Sequence, residues 1–495
     1  MSPSRLLLLA AIGGLTASSG AWAAAGGPLP RCDKSTASFY LMRYIEATAA
    51  NTAPKTVLSQ ATVPTSGAVA LATIWDGATA PTPSPRDLSS ASGATVAGGM
   101  GNDGYIYAMR AVGTQEPGWD LQGRPWADPN GEWRTHTRHY EMLRYGRDGV
   151  DNLGIVAGLG TFRTVATDPA TQTNGAVDQR LGPNFNAADV DPETGVFYLA
   201  NFQTGGALNR VHRIDVTTTP PQYLDTLTLS GNIPGAQSGD FAIDANGEWA
   251  YGVATTGNIL TGSSVAYRFN LASGTVETLA GGWGAIPQGA AARLLNNDNQ
   301  MAFYGLNTRL MNLPGGTVGS SHSTATANSA DAAACLPKLE VTLACTPAEL
   351  FDSPANAATC TLTLDAPAPV GGLAIALDAI AADPRYGTTC TSPQTIAEGE
   401  TSTTCTVTAT PNTDVGDGDV PVTVALSTPG AQDDYVLGTP SSADLLVRDD
   451  DDAVPPGPGA EPTPVPVDAP WMLGLLGALL AGSGALRRRV RHNQR

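Results

Sequence analysis

Positive charge is scarce in this chain. Of 495 residues, 27 are Lys or Arg against 45 Asp or Glu, which leaves a net charge of −18. A body this acidic does not hold a phosphate backbone, so nucleic acid is excluded as a partner. Histidine is rarer still, with five in all. The close pair His136 and His139 has no evident third ligand and reads as surface loop rather than metal site. No Cys-x-x-Cys pair occurs among the six cysteines, which excludes a zinc knuckle. There is no P-loop, no His-Glu-x-x-His and no EF-hand order of carboxylates. Ser321-His322 has neither an orienting acid nearby nor a nucleophile-elbow motif. No catalytic residue is assigned on these grounds. What is present is 42% apolar residues with 56 Gly and 37 Pro. That mix suits all-β structure with many turns, spread over two or three domains.

The ends of the chain carry addresses. A short basic start with Arg5, an apolar run from Leu6 and the A-x-A residues Ala21 and Ala23 form a signal peptide over 1–25, read by signal peptidase. Export makes disulfides permissible. Six cysteines allow 15 pairings. Two equal spacings favour Cys345–Cys360 and Cys390–Cys405, which leaves Cys32–Cys335 to join the ends of one long region.

Between those last two cysteines a unit recurs. "AADVDPETGVFYLANF", "GDFAIDANGEWAYGV" and "AARLLNNDNQMAFYGL" each place a polar turn before a strand bearing an aromatic, and "GGMGNDGYIYAMRA" does the same. The aromatics are Tyr107, Tyr198, Tyr251 and Tyr304, and a second alternating strand follows, as at Ile214 and Phe269. The pattern reads as paired hairpins at a period near 50 residues, which predicts a β-propeller of five or six blades over 32–335. A long sandwich or a solenoid is the alternative. The segment near Tyr40 reads as half a blade, to be completed from the far end of the region. The tryptophan-rich stretch "QEPGWDLQGRPWADPNGEWRTHTRHY" interrupts the period and reads as a binding loop over one face. In the order of these units the region resembles a secreted bacterial β-propeller family of unknown function, a likeness that implies a fold and no catalytic residues.

Residues 337–449 alternate Thr, Val and Leu with polar residues over short strands, the pattern of a β-sandwich. Thr395, Ile396, Gly399, Asp414, Gly418, Asp419, Tyr435 and the run Asp449–Asp451 resemble the marks of the Calx-β module. That resemblance implies calcium held by loops at one end of the sandwich. Asp414, Asp417, Asp419, Asp449, Asp450 and Asp451 are the candidate ligands, because calcium takes several converging oxygens. The inserted cysteines and the lack of a clear acidic pair in the first strand and turn depart from the family. A solvated acidic turn is the plainer reading.

An acidic and Pro-rich linker, 450–464, leads to the tail 465–495. The uncharged run Ala469 to Leu486 spans about 27 Å as a helix, enough for a membrane. Arg487, Arg488, Arg489 and Arg491 beyond it keep the end cytoplasmic. The arrangement resembles exosortase sorting signals of the IPTL-CTERM type, with Val465, Pro466 and Trp471 at matching positions and Val467 and Asp468 departing. It implies an exosortase-type enzyme as partner, transient residence in the inner membrane, and release or transfer to the cell surface of a Gram-negative bacterium. A plain single-pass anchor is the alternative. The expected function is an exported binding or structural protein for an unidentified surface ligand. The rival is a displayed propeller enzyme, a hydrolase or lyase, which perturbed carboxylates or histidines in the central channel would favour.

Overall fold

The computed structural model describes residues 24–450 except 46–54, 77–97, 118–133, 160–161, 165–186, 201–207, 234–237, 257–261, 280–281, 285–289, 297–298, 306, 326–328, 353, 415 and 431–432. Every regular element among the described residues is a β-strand. From Ser38 to Ala334 the strands form five antiparallel sheets built on four strands each. Four of the sheets are simple meanders, and their first strands are Gly98–Met100, Ala187–Val190, Ser238–Ile243 and Ala290–Arg293. The remaining sheet is completed from both ends of the region. Ser329–Ala334 pairs with Ser38–Ile45, from Phe39↔Ala334 to Tyr44↔Ser329.

These five strands pack side by side in a closed cycle. Ser329–Ala334 lies beside Gly98–Met100, which lies beside Ala187–Val190. Next come Ser238–Ile243 and Ala290–Arg293, and the latter returns to Ser329–Ala334. Five apolar clusters fill the five junctions between sheets. Each is anchored by buried aromatics, such as Tyr107 with Phe197 or Phe241 with Phe269. Burying one such ring contributes about 1.5–3 kcal/mol. Gly195 and Gly247 make the turns from first to second strand with φ of 70° and 62°, a conformation that favours glycine. The recurring Tyr107, Tyr198, Tyr251 and Tyr304 all sit on second strands.

The tryptophan-rich stretch is flanked more closely by strand than the sequence suggested. Its flanks are strands, Ile106–Pro117 and Arg134–Tyr145, which pair without a break from Ile106↔Tyr145 to Pro117↔Arg134. These two strands form a long hairpin in the second sheet, a short strand, Phe162–Thr164, pairs with the second of them, and residues 118–133 between them, with the three tryptophans, lie outside the described residues.

After Ala334 comes a sandwich. One sheet holds Tyr386–Thr388, Ser402–Ala409, Ala357–Leu364, Leu339–Thr346 and Tyr435–Leu437. The other holds Glu349–Phe351, Ser442–Arg448 and Val420–Ala425. Alternate residues of Ala357–Leu364 point inward, as a half-buried strand requires. They meet Val422, Val424 and Val447 in a single core.

The cysteines pair as Cys32–Cys335, Cys345–Cys360 and Cys390–Cys405. Cys345 and Cys360 are direct cross-strand partners, and Cys405 lies opposite Cys360 on the next strand. Ring and sandwich are tied at the first bond. Cys32 N–H donates to Leu336 O, and Lys338 N–H donates to Cys32 O, both at 2.8 Å. Asp434 of the sandwich accepts from Arg31 N–H at 2.9 Å and pairs with Arg147 at 3.3 Å. No helix among the described residues is long and apolar enough to cross a membrane. The expected helix Ala469–Leu486 lies outside them.

Candidate functional site

Sequence reasoning missed the most unusual chemistry, which lies on the inner strands. Each inner strand has a sheet partner on one side only, so half of its N–H groups face away from its own sheet and need acceptors. Three aspartates supply them in one repeated pattern. Asp189 accepts from its own neighbour Val190 and from Ile243 on the next inner strand, both at 2.8 Å. Asp240 accepts from Phe241 and, at 2.6 Å, from Ala291. Asp331 accepts from Ala332 at 2.7 Å and from Gly98. Each carboxyl thus clasps one sheet to the next around the ring. At the junction of second and third sheets backbone contact replaces the clasp. A Cβ on Gly99 would stand 2.3 Å from Val190 N.

All three carboxyls are buried, with 4%, 1% and 2% of their residues exposed. Burial pushes Asp189 up to about 7, against the pull of its two backbone N–H donors. Burial, followed by the charge of Asp331, pushes Asp240 well above the carboxylate range. Burial also pushes Asp331 well up. A sequence signal exists for all three. Ala187-Ala188-Asp189, Ser238-Gly239-Asp240 and Ser329-Ala330-Asp331 are each two small residues and an aspartate opening an inner strand.

The acidic loops of the sandwich do converge, and they close around arginines. Arg385 donates to Asp352 Oδ2 at 2.6 Å and to Gly418 O at 2.8 Å, and it also pairs with Asp417. Asn412 Nδ2 bridges Asp352 and Asp417 at 3.1 Å each. Asp449 accepts from Gly418 N–H at 3.0 Å. Arg448 takes Asp419 at 2.9 Å and Glu349 at 2.6 Å. Burial raises the Asp352 carboxyl, but hydrogen bonds with Asp450 and Arg385 outweigh it and hold the group below its usual range. Asp417, Asp419, Asp449 and Asp450 therefore share one end of the sandwich. Asp414 joins through its backbone N–H on Asn412. Asp451 lies outside the described residues. Among the described residues no three His, Cys, Asp or Glu side chains are placed to hold a metal. The charge that calcium would supply comes here from guanidinium groups, so these residues as arranged do not fit the ion.

Among the described side chains two histidines are held structurally, and one is His212, with Nδ1 against Thr226 Oγ1 at 2.8 Å. His322 is buried, with Nε2 against Ser320 Oγ at 2.7 Å and Nδ1 against Gly67 O at 3.2 Å. The pairing is with Ser320 rather than Ser321. His136 and His139 lie on the long hairpin strand. Val465, Pro466, Trp471, Arg487, Arg488 and Arg489 of the sorting signal, like residues 1–23, lie outside the described residues.

The described residues form an all-β chain made of a closed ring of five sheets and a sandwich. No family model matches the chain, and no curated protein does. Among solved structures it is similar in part to hydrazine synthase of Kuenenia stuttgartiensis. That match is 12% identical and covers 54% of this chain and 75% of the other, with a TM-score of 0.25. A prolyl endopeptidase, described with a second for inter-domain dynamics in catalysis and specificity, is 13% identical. It covers 68% of this chain and 55% of the other, with a TM-score of 0.22. Likeness at that level says nothing of this chain's chemistry.

Proposed function

We propose that this is an exported display protein: a five-bladed β-propeller followed by a Calx-β-like sandwich, presented at the cell surface through a Pro-rich stalk and an exosortase-type tail. The observation that carries the reading is the disulfide set. All six cysteines are bonded and none is free. Bonds of this kind form and persist in oxidising compartments. The long hairpin through Pro117 and Arg134 is the surface offered to a ligand, because it extends from a rigid ring.

The rival reading, a displayed enzyme, is favoured by the buried carboxylates at the axis. Against it, each is engaged by backbone N–H donors and closed to solvent, which suits a clasp better than a group that must touch substrate.

Mass spectrometry of the mature protein tests the proposal at both ends. The expected amino terminus is Ala24, directly after the A-x-A residue Ala23 and two residues short of the full 1–25 segment read from the sequence. Ala25 is wholly buried and its N–H donates to Asp151 at 2.9 Å, so a cut beyond it would remove part of the fold. The expected carboxy terminus falls near Val465–Trp471. A mature chain that still carries Arg495 removes the sorting signal and leaves a plain anchor. One that begins at Met1 removes export.

A further inference from the structure

Asp240 and Asp331 stand on inner strands that are not neighbours in the cycle, since Ala290–Arg293 lies between them. Their carboxyls nevertheless meet, in hydrogen-bond contact with each other. Asp240 Oδ1 and Asp331 Oδ2 are buried and receive no N–H or O–H from any other group. The opposite oxygens are already taken by Ala291 N–H and Ala332 N–H. Two acceptor-only carboxylates cannot satisfy each other, and two buried charges at contact distance repel strongly.

Among the described residues, no cation is one of the largest influences on either carboxyl. The third sheet contributes Asp189, whose charge adds to both. The fourth contributes Tyr267, which faces Asp240 and is neutral there. The fifth contributes Arg293, which acts on Asp189. The second contributes the Gly98 N–H. Asp191 faces Asp189 as a further negative charge.

We propose that Asp240 and Asp331 hold one proton between them, and that this proton is a pH-sensitive lock tying the fourth sheet to the first across the ring. With the proton present, the free oxygens of the pair are joined by an O–H···O bond and the pair carries one charge. Loss of the proton puts two charges in contact in a closed site and loosens both inter-sheet clasps. The sign follows directly. The folded state keeps a proton that the unfolded chain releases near the ordinary carboxyl range. Stability is therefore lost as pH rises, by roughly tenfold in the folding constant per pH unit for each such proton.

The test is the unfolding equilibrium of the full chain between pH 6 and 9, for wild type and Asp240→Asn. Asparagine keeps an acceptor for Ala291 N–H and gives Asp331 a permanent donor. Wild type is expected to lose stability steeply across this range, and Asp240→Asn to lose one proton's share of that slope. Equal slopes in the two proteins overturn the proposal. Carbon-13 NMR of the aspartate carboxyls decides independently of whether the variant folds. One protonated, titrating pair is expected at pH 7, and two fully ionised carboxylates there overturn it. A wild-type protein stabilised by added calcium and destabilised by a chelator, with Asp240→Asn blind to both, also overturns it in favour of a cation at the axis.

Discussion

Asp189 shows how one side chain links ring geometry to pH. It accepts two backbone N–H groups in a site closed to water, yet burial still pushes it up to about 7. Its unfolded value is near 3.9. The folded state therefore binds the extra proton between those limits, and its contribution is largest near pH 4 and lost as pH rises to about 7. Asp189→Ala leaves the N–H groups of Val190 and Ile243 without an acceptor, at a cost of about 1–3 kcal/mol each when buried. It also removes the penalty that wild type accumulates on ionising. The expected result is a substitution more costly at pH 5 than at pH 7.5, read by denaturant unfolding at both values. A cost that grows with pH would show that the carboxylate, and not the acid, is the form the ring favours.

At the scale of elements, the second strands were legible and the first strands were not. Tyr198 and Tyr251 stand in alternating runs beside glycine turns, so period and punctuation agree. Ala187–Val190 and Ala290–Arg293 have only four residues each, too few to show a period, and their small side chains read as loop. Asp189, in the first of these, went unread for the same reason. The flanks of the tryptophan-rich stretch went unread for another reason. Gln115 and His136 are paired strand residues, but no hydrophobic alternation marks them as such. In the sandwich the acidic residues were legible and their partner was not, because Arg385 is remote in sequence from Asp417 and Asp449. Asp352 is fully enclosed and Arg385 is its cation, at 2.6 Å. Arg385→Ala is expected to cost about 2–3 kcal/mol, between the limits for surface and buried pairs. It should also let calcium raise the melting temperature of a sandwich that does not otherwise respond. Calorimetric titration of both proteins checks this, and calcium uptake by the wild type would show that the guanidinium yields its place.

On the scale of the whole molecule, the two units resist unfolding by different means. The sandwich has one continuous core, and its two disulfides each span only 15 residues of chain. The ring has five separate cores and depends on closure, since Ser329–Ala334 must return 303 residues along the chain to the Cys32 end. Closing a loop of that length stabilises by about 5–6 kcal/mol in the chain-entropy model, comparable to the whole stability of a small domain. Opening that bond should therefore release the ring and spare the sandwich. Their side-chain contacts, Arg31 and Arg147 with Asp434 and Lys34 with Asp365, are partly exposed and too weak to pass the loss on. In Cys32→Ser with Cys335→Ser, the ring is expected to unfold well before the sandwich. Limited proteolysis of the exported double variant should degrade residues 32–335 and leave a resistant fragment that begins near Leu339. Loss of both units at one protease concentration would mean that the contacts through Asp434 couple them, and that ring and sandwich unfold as one.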